Sequence, residues 1–308
     1  MFCSNSGTNK KTIFSFEVFP PKKNMPIDTI FKTLDELRDL RPDFISVTFG
    51  AGGSENCDNA LAIAKRIQDE CKVESVIHMP AINMTKDDAQ FCLEQFQNAG
   101  IENILALRGD KVEGKTPCKD FPHASDLISF IKEFDSKRKD GKHFNILGAC
   151  YPEMHPQSSS VYDDIEYLKQ KVDAGATHLL SQLFFDNEKF YRFQERCQIK
   201  GINVPIEAGI MPATNKKSIE RMVSMTNAVL PQKFTHMMQR YENYPEAIRD
   251  AGIAYAIDQI VDLVTHGVSG IHLYTMNNAH VARKIYEATH SLFGVSPISD
   301  CLENCRLK

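Results

Sequence analysis

Short apolar runs alternate along this chain with stretches whose apolar positions recur at helical spacing, and the alternation repeats eight times. Ile13 to Val18 is β-branched and aromatic and is stopped by Pro20-Pro21; a helix from about Ile27 to Leu40 follows, closed by Pro42. Phe44 to Thr48 reads as the second strand, and the turn Gly50-Ala-Gly-Gly53 leads to Ser54, an N-cap for a helix through Gln68. The third unit runs from a strand over Glu74 to His78 through a loop at Met79 to Met84. Thr85 then caps a helix, with Asp88 at capping-box spacing and Gly100 at its end.

The fourth strand, Asn103 to Leu107, ends abruptly in Arg108-Gly109-Asp110: a cation, a flexible hinge and an anion in succession. A polar loop to Pro122 and a helix with Ser125 as its cap come next. Asn145 to Cys150 is the fifth strand, Tyr151-Pro-Glu-Met-His155 its exit loop, and Val161 to Ala174 an amphipathic helix. Thr177 to Phe184 is the sixth strand, with Asn187 capping the helix through Cys197. Pro205 to Ile210 is the seventh, ending at Met211-Pro212. Residues 215–267 hold several helical stretches without a convincing strand. Gly270 to Tyr274 is the eighth strand, and the last helix runs from Ala279 to Ser291.

Eight strand–helix units predict an α/β fold with a parallel sheet, and right-handed crossovers let that sheet close into a (β/α)8 TIM barrel. An open doubly wound sheet is the structural rival. The barrel is expected as a single domain over 12–295, with extra helices between strands 7 and 8, a flexible N-terminus at 1–11 and a tail at 296–308. A chain of 308 residues accommodates it, since the fold typically needs about 250.

Composition narrows the function. The hydrophobic fraction of 42%, the charged fraction of 25% and a formal net charge of −4 are those of an ordinary soluble protein and argue against a nucleic-acid partner. The first eleven residues lack the apolar core of a secretion signal, and no run is long enough to span a bilayer, so the expected location is the cytoplasm with no membrane partner. The nine cysteines contain no Cys-x-x-Cys pair and read as reduced thiols. No metal set emerges, because His78, His155, His178 and His272 come from separate strands.

Active sites of this barrel lie where the strands end. There the chain places Glu17, Thr48, His78, Arg108 with Asp110, Tyr151 with His155, Gln182, Met211 and Tyr274, a convergence that packing does not require. Each also has a plain structural reading. Arg108 and Asp110 can form a capping salt bridge. Glu17, among Phe16, Val18 and Phe19, is either a buried ion-pair partner or a carboxyl whose apolar pocket suits it to general acid work. His78 can be a satisfied core histidine, and Gln182 can cap a strand or pair with a pterin or pyrimidine edge. Asp164 and Lys171, seven apart on one helix face, can be solvated charges.

The motifs resemble the methylenetetrahydrofolate reductases of the short bacterial type. The resemblance runs through Phe16-Glu-Val-Phe-Pro-Pro21, Ser46-Val-Thr-Phe-Gly-Ala-Gly-Gly53, Leu107-Arg-Gly-Asp110 and Ala149-Cys-Tyr-Pro-Glu-Met-His155. It continues in Lys171-Val-Asp-Ala-Gly-Ala176, Gln182-Leu-Phe-Phe-Asp186, Gly209-Ile-Met-Pro212 and Tyr274-Thr-Met-Asn277. It implies reduction of 5,10-methylenetetrahydrofolate to 5-methyltetrahydrofolate, with FAD as cofactor, NADH or NADPH as electron donor, and ping-pong use of one pocket. By position, FAD would be lined by Thr48, Phe49, Ala51, His78, Leu107, Arg108, Gly109, Asp110, Ala124, Ala149, Tyr151, His155, Asp164 and Lys171. Lys171 and His155 would suit its diphosphate or ribose, and Thr48 and Asp110 its ring. Glu17 would be the general acid, Asp110 would stabilise the cationic intermediate, and Gln182 would hold the pterin or the nicotinamide.

Two positions depart from the family's pattern: Asn278 stands where relatives carry Arg after the Tyr-Thr-x-Asn motif, and Met222 where an aromatic residue stacks on substrate. Both bear on the folate tail. The resemblance further implies a homo-oligomer without the regulatory domain of the longer animal enzymes; some anaerobic relatives work with a small zinc-binding partner subunit or take electrons by another route, and the sequence leaves both open. Two other readings stand beside it: another flavin barrel, such as a proline-dehydrogenase-like oxidoreductase, and a noncatalytic folate or flavin carrier.

Overall fold

The computed structural model describes residues 11–21, 25–49, 57–110 and 116–294. Eight parallel strands close into a barrel in sequence order: β1 (Ile13–Val18), β2 (Phe44–Val47), β3 (Glu74–Pro80), β4 (Asn103–Leu107), β5 (Asn145–Cys150), β6 (His178–Ser181), β7 (Ile206–Ile210) and β8 (Gly270–Tyr274). β8 pairs back onto β1, which excludes the open sheet. Helices follow the strands in turn: α1 (Asp28–Arg38), α2 (Cys57–Asp69), α3 (Lys86–Asn98), α4 (Ala124–Ser136), α5 (Val161–Asp173) and α6 (Asn187–Ile199). Three helices, α7 (Lys216–Met225), α8 (Gln232–Tyr241) and α9 (Pro245–Thr265), separate β7 from β8, as the helical stretches of 215–267 predict. The chain then enters α10 (Ala279–Thr289).

The pleat sorts each strand into two faces. On β1, Phe14, Phe16 and Val18 point outward into the main core beneath the helices, while Ser15 and Glu17 face the barrel interior. That interior is divided. One side is apolar, with Phe44, Val76, Leu105, Leu147 and Leu180 in one cluster; the other carries Ser15, Ser46, His178, Glu207 and His272, all at most 3% exposed. A separate apolar cluster, including Phe185, Met211, Phe234 and Ile248, seats α7, α8 and α9 against the β6 and β7 exits.

Several local expectations hold and several shift. Thr85 and Asp88 form the reciprocal capping box, with bonds of 2.9 and 3.1 Å, and Gly100 closes α3 at φ +72°. Ser125 is not the cap of α4: the helix begins one residue earlier, and Asp126 accepts from the His123 backbone N–H at 2.8 Å. Nor does Asn187 cap α6; Asp186 accepts from Glu188 N, which frees the Asn187 amide to tie α6 to Asp262 of α9. β6 is shorter than expected because the Gln182 side chain turns back to accept from Leu183 N at 2.9 Å. β3 instead runs on to Pro80, pairing with Leu107. Ser54, the Gly50-Ala-Gly-Gly53 turn and the expected tail at 296–308 lie outside the described residues, as do all but Lys11 of the expected N-terminal segment.

Candidate active site

Glu17 sits at the open end of the barrel with its side chain 20% exposed. Its Oε2 lies 3.7 Å from Nε2 of His78 and 3.9 Å from Nε2 of His272. The apolar pocket expected from Phe16 and Val18 is therefore corrected: those side chains face the helices, and the carboxyl group stands between two imidazoles. Its backbone is fixed from β8. Thr275 donates its hydroxyl to the Glu17 carbonyl at 2.7 Å, and the Asn277 amide both donates to Phe19 O (2.8 Å) and accepts from Phe19 N (3.1 Å). The Tyr274-Thr-Met-Asn277 motif is thus a clasp on the β1 exit. Met276 and Asn277 take left-handed backbone at φ 51° and 55° to make it.

His78 is 5% exposed, and burial pushes its pKa down to about 4, with His272 adding to the effect and Glu17 opposing it. The ring is neutral at physiological pH. Among the described residues its Nε2 has no hydrogen-bond partner, so it is not the satisfied core histidine of the plain reading. Asn83 Oδ1, in the loop after β3, is likewise buried without a partner. Buried polar atoms of this kind are costly unless a ligand completes them.

The β4 exit turns at Gly109, φ +83°, where an added Cβ would lie 2.7 Å from Pro80 Cβ. Only glycine fits. The salt-bridge reading of Arg108 and Asp110 does not hold. The Arg108 guanidinium donates to Gln157 Oε1 at 2.7 Å and to Gly109 O at 3.3 Å, and Asp110 stands exposed at the rim.

At the β5 exit, Tyr151 packs edge-on against His155 with centroids 4.6 Å apart, and Lys171 of α5 reaches over the Tyr151 ring. Lys171 Nζ donates to Ala149 O at 2.8 Å. Burial holds its pKa below the usual lysine range, with Arg108 adding to the depression and Cys150 and Asp164 opposing it. His155 is also pushed down, first by burial and then by Arg108 and Lys171. Arg108, His155 and Lys171 therefore share one electrostatic neighbourhood, with Asp164 as its local anion, held by Ser158 Oγ at 2.7 Å. Lys171 is not a solvated surface charge. A half-buried ammonium with one neutral oxygen partner is equipped to receive an anion.

The remaining candidates divide by position. Thr48 is half-buried after β2, its N–H bonded to Val18 O, and Leu107 on β4 and Ala149 on β5 are half-buried as well. Phe49 is 1% exposed within the main core, and Ala124 is 5% exposed at the first position of α4. Ala51 lies outside the described residues. Gln182 lines a cleft with Tyr151, Glu153, Thr226 and Ala228, while Asn278 lines a second with Met211, Thr214, Ser218 and Tyr274. Asn278 is exposed and caps α10, accepting from Val281 N at 3.2 Å. Met222 packs into the α7–α9 cluster.

Sequence reasoning passed over Ser15, Ser46 and Glu207. Glu207 Oε2 accepts from Ser15 Oγ and Oε1 meets His178 Nε2, each at 2.7 Å, and Ser15 Oγ lies 2.7 Å from His272 Nδ1. The available signal was a carboxylate in mid-strand within the apolar run Ile206-Glu-Ala-Gly-Ile210, where a charge needs a partner from another strand.

The family model for methylenetetrahydrofolate reductase matches residues 3–290. The chain is 37% identical over 283 residues to the 5,10-methylenetetrahydrofolate reductase of Escherichia coli K12, covering 92% of this chain and 91% of that one. It is 36% identical over 284 residues to that of Pectobacterium carotovorum, covering 92% and 90%. Against methylenetetrahydrofolate reductase (NADH) 1 of Arabidopsis thaliana the identity is 37% over 285 residues, covering 87% of this chain and 46% of the plant protein. Among solved structures, a Clostridium thermocellum protein described as binding two copies of 5-methyl-5,6,7,8-tetrahydrofolic acid superposes with a TM-score of 0.61 at 12% identity. The match covers 92% of this chain and 96% of that one, and supports the barrel fold alone. Among the described residues no helix is long and apolar enough to cross a membrane. With the family model matched over nearly the whole chain and bacterial reductases matched over nearly their whole length, the chain belongs to the methylenetetrahydrofolate reductase family, oxidoreductases of one-carbon metabolism that reduce a folate.

Proposed function

We propose that this chain reduces 5,10-methylenetetrahydrofolate to 5-methyltetrahydrofolate with NADH or NADPH as electron donor and FAD as the resident cofactor, the two substrates using one pocket in turn. The observation that carries the reading is Glu17. A partly exposed carboxyl group flanked by two imidazoles stands at the mouth of a barrel in a folate-reducing family.

The residues present fit a flavin dinucleotide. Arg108 and the half-buried Lys171 form a cationic neighbourhood suited to a diphosphate, with the His155 imidazole beside them as a hydrogen-bonding group, and the partnerless Nε2 of neutral His78 offers one hydrogen bond to a ligand. Gly109 lets the backbone come close at the β4 exit. When bound, FAD supplies hydride storage, accepting from the nicotinamide and giving to the folate one-carbon unit.

The protein's own task is proton and charge management. The methylene bridge accepts hydride poorly until its five-membered ring opens, which requires a proton on N10 as the carbon–N10 bond breaks and an N5 iminium forms. Glu17 holds that proton at Oε2 and delivers it as general acid. Asp110, an anion at the rim, stabilises the cationic iminium. The Gln182 amide, with both donor and acceptor atoms, holds the pterin edge or the nicotinamide amide in alternate half-reactions. Alternating occupancy of one pocket gives ping-pong kinetics.

The test is Glu17→Gln. NAD(P)H oxidation by the flavoprotein stays at the wild-type rate, while folate reduction falls by about 10²- to 10⁴-fold, the range general acid catalysis contributes. Folate reduction at the wild-type rate in this variant removes the acid role.

A further inference from the structure

The polar half of the barrel interior forms one connected chain, and it ends on Glu17. His178 of β6 meets Glu207 of β7 at 2.7 Å; Glu207 meets Ser15 of β1 at 2.7 Å; Ser15 meets Nδ1 of His272 on β8 at 2.7 Å; and Nε2 of His272 faces Glu17 Oε2 at 3.9 Å and Ser46 Oγ at 3.4 Å. Glu207 and His272 are each 0% exposed. Gly270, the residue opposite Glu207 in the register, leaves room for the side chain: a Cβ there would lie 2.7 Å from Glu207 Cγ. His272 is held flat against Phe44, with centroids 5.7 Å apart, and edge-on to Tyr274 at 5.5 Å.

Proton bookkeeping along this chain has one consistent solution when Glu207 is ionised. A carboxylate only accepts, so the single Ser15 hydroxyl proton points to Glu207 Oε2. Ser15 Oγ must then accept from His272, which places a proton on Nδ1. Nε2 is left as the ring atom that gains or loses a proton, and it is the atom aimed at Glu17.

We infer that His272 is a positioning residue for the general acid: Glu207, acting through Ser15, fixes the Nδ1–H form of His272 so that Nε2 exchanges a proton with Glu17. The inference rests on the acid role proposed for Glu17. After Glu17 has given its proton to the folate, its carboxylate faces the His272 imidazolium 3.9 Å away, an ion pair whose His272 half is fully buried and costly to keep charged. The Nε2 proton of the His272 imidazolium then moves to Glu17 Oε2, leaving a neutral acid and a neutral Nδ1–H imidazole; no electrons move. The proton consumed in each turnover comes from solvent water and reloads the pair through Glu17 when the pocket is empty between substrates. The titratable groups facing His272 are Glu17 and Glu207, with His78 and Tyr274 beside them and His178 beyond Glu207. His78 stays neutral at physiological pH, and Tyr274 is pushed well above its ordinary range, first by burial and then by Glu17.

Nitrogen-15 NMR of histidine-labelled protein, with the His272 signal assigned by its loss in His272→Asn, reads the tautomer without any turnover. A proton on Nδ1 is expected at every pH, in the imidazolium of the loaded resting pair and in the neutral ring that replaces it at higher pH, and an Nε2–H neutral form overturns the proposal. The companion measurement is the folate half-reaction across pH in Ser15→Ala and Ser15→Thr, a small change that leaves the barrel intact. In Ser15→Ala a rate about tenfold lower and a displaced pH profile are expected, with the nucleotide half-reaction unchanged and Ser15→Thr restoring the wild-type profile. A Ser15→Ala profile that overlays the wild type overturns the proposal. If the wild-type protein reduces no folate at any pH, the reading of Glu17 fails instead, and the tautomer remains readable on its own.

Discussion

The hydroxyl of Thr275 donates to the backbone carbonyl of Glu17 at 2.7 Å, so the end of β8 holds the end of β1 at the residue whose side chain faces His78 and His272. The clasp explains why a Thr and an Asn follow the last strand: each satisfies backbone groups of β1 that have left the sheet ladder. Replacing Thr275 with Val removes the donor and keeps the shape. The expected cost is about 1 kcal/mol of stability. Because the carboxyl group loses its fixed approach, folate reduction should fall several-fold while nucleotide oxidation does not. Urea denaturation and separate half-reaction rates check both parts; equal loss in the two half-reactions would show that the clasp serves the fold alone.

His78 gives the protein a defined acid sensitivity. Its folded pKa is about 4 against an ordinary 6.5, so between those values the unfolded chain binds a proton that the folded chain refuses. Stability therefore rises with pH through that window, is level above 6.5, and is lower by about 3 kcal/mol below 4. His78→Asn should flatten the difference in urea midpoint between pH 7 and pH 5. An unchanged difference would assign the acid sensitivity to other groups.

Lys171→Met keeps most of the aliphatic stem and deletes the ammonium that meets Ala149 O and overlies Tyr151. Charge-assisted bonds to an anion are worth about 1.5–3 kcal/mol, so flavin retention on dialysis should weaken by about 10- to 100-fold. The fold should persist, because burial already holds this lysine below its usual range. Retention equal to wild type would place the diphosphate elsewhere.

Gly109→Ala and Gly141→Ala share a positive φ, +83° and +70°, but only the first meets an obstacle, Pro80 Cβ at 2.7 Å. Both carry the left-handed penalty of about 1 kcal/mol; Gly109→Ala should add displacement of the β4 exit and loss of flavin. Comparable flavin content in the two variants would contradict a role for the Gly109 turn in the site.

Much of this architecture is legible in the sequence. Most strands are short apolar runs cut by Gly, Pro, a charge or a polar residue, and the eighth closes on the first as expected. Rim residues follow from knowing where strands end. What escapes is whatever depends on pairing between strands. The link from Glu207 to Ser15 and His272 joins positions 192 and 257 residues apart, and local periodicity carries no trace of the register that aligns them. At α6 the cap slipped by one residue because two capping side chains are adjacent: Asp186 takes the role expected of Asn187, whose amide bonds to Asp262 of α9. The surroundings of Glu17 differ from those read along the chain, because counting sequence neighbours includes Phe16 and Val18, which the pleat turns away.

Asn278 caps α10 from the second cleft, in the position where relatives are expected to carry Arg. Asn278→Arg should lower KM for a polyglutamylated folate several-fold with kcat unchanged, at a cost of about 1 kcal/mol from the lost cap. A KM unaffected by the new cation would separate this cleft from the folate tail.

The central claim is that one rim alternates between a nicotinamide and a folate across a bound flavin. Its most direct test is the visible spectrum of the purified protein, followed without oxygen through addition of NADH or NADPH and then 5,10-methylenetetrahydrofolate. The account expects a flavin band that bleaches with the nucleotide and returns with the folate. A band that bleaches and stays bleached, or a colourless protein that takes up no FAD, would contradict it.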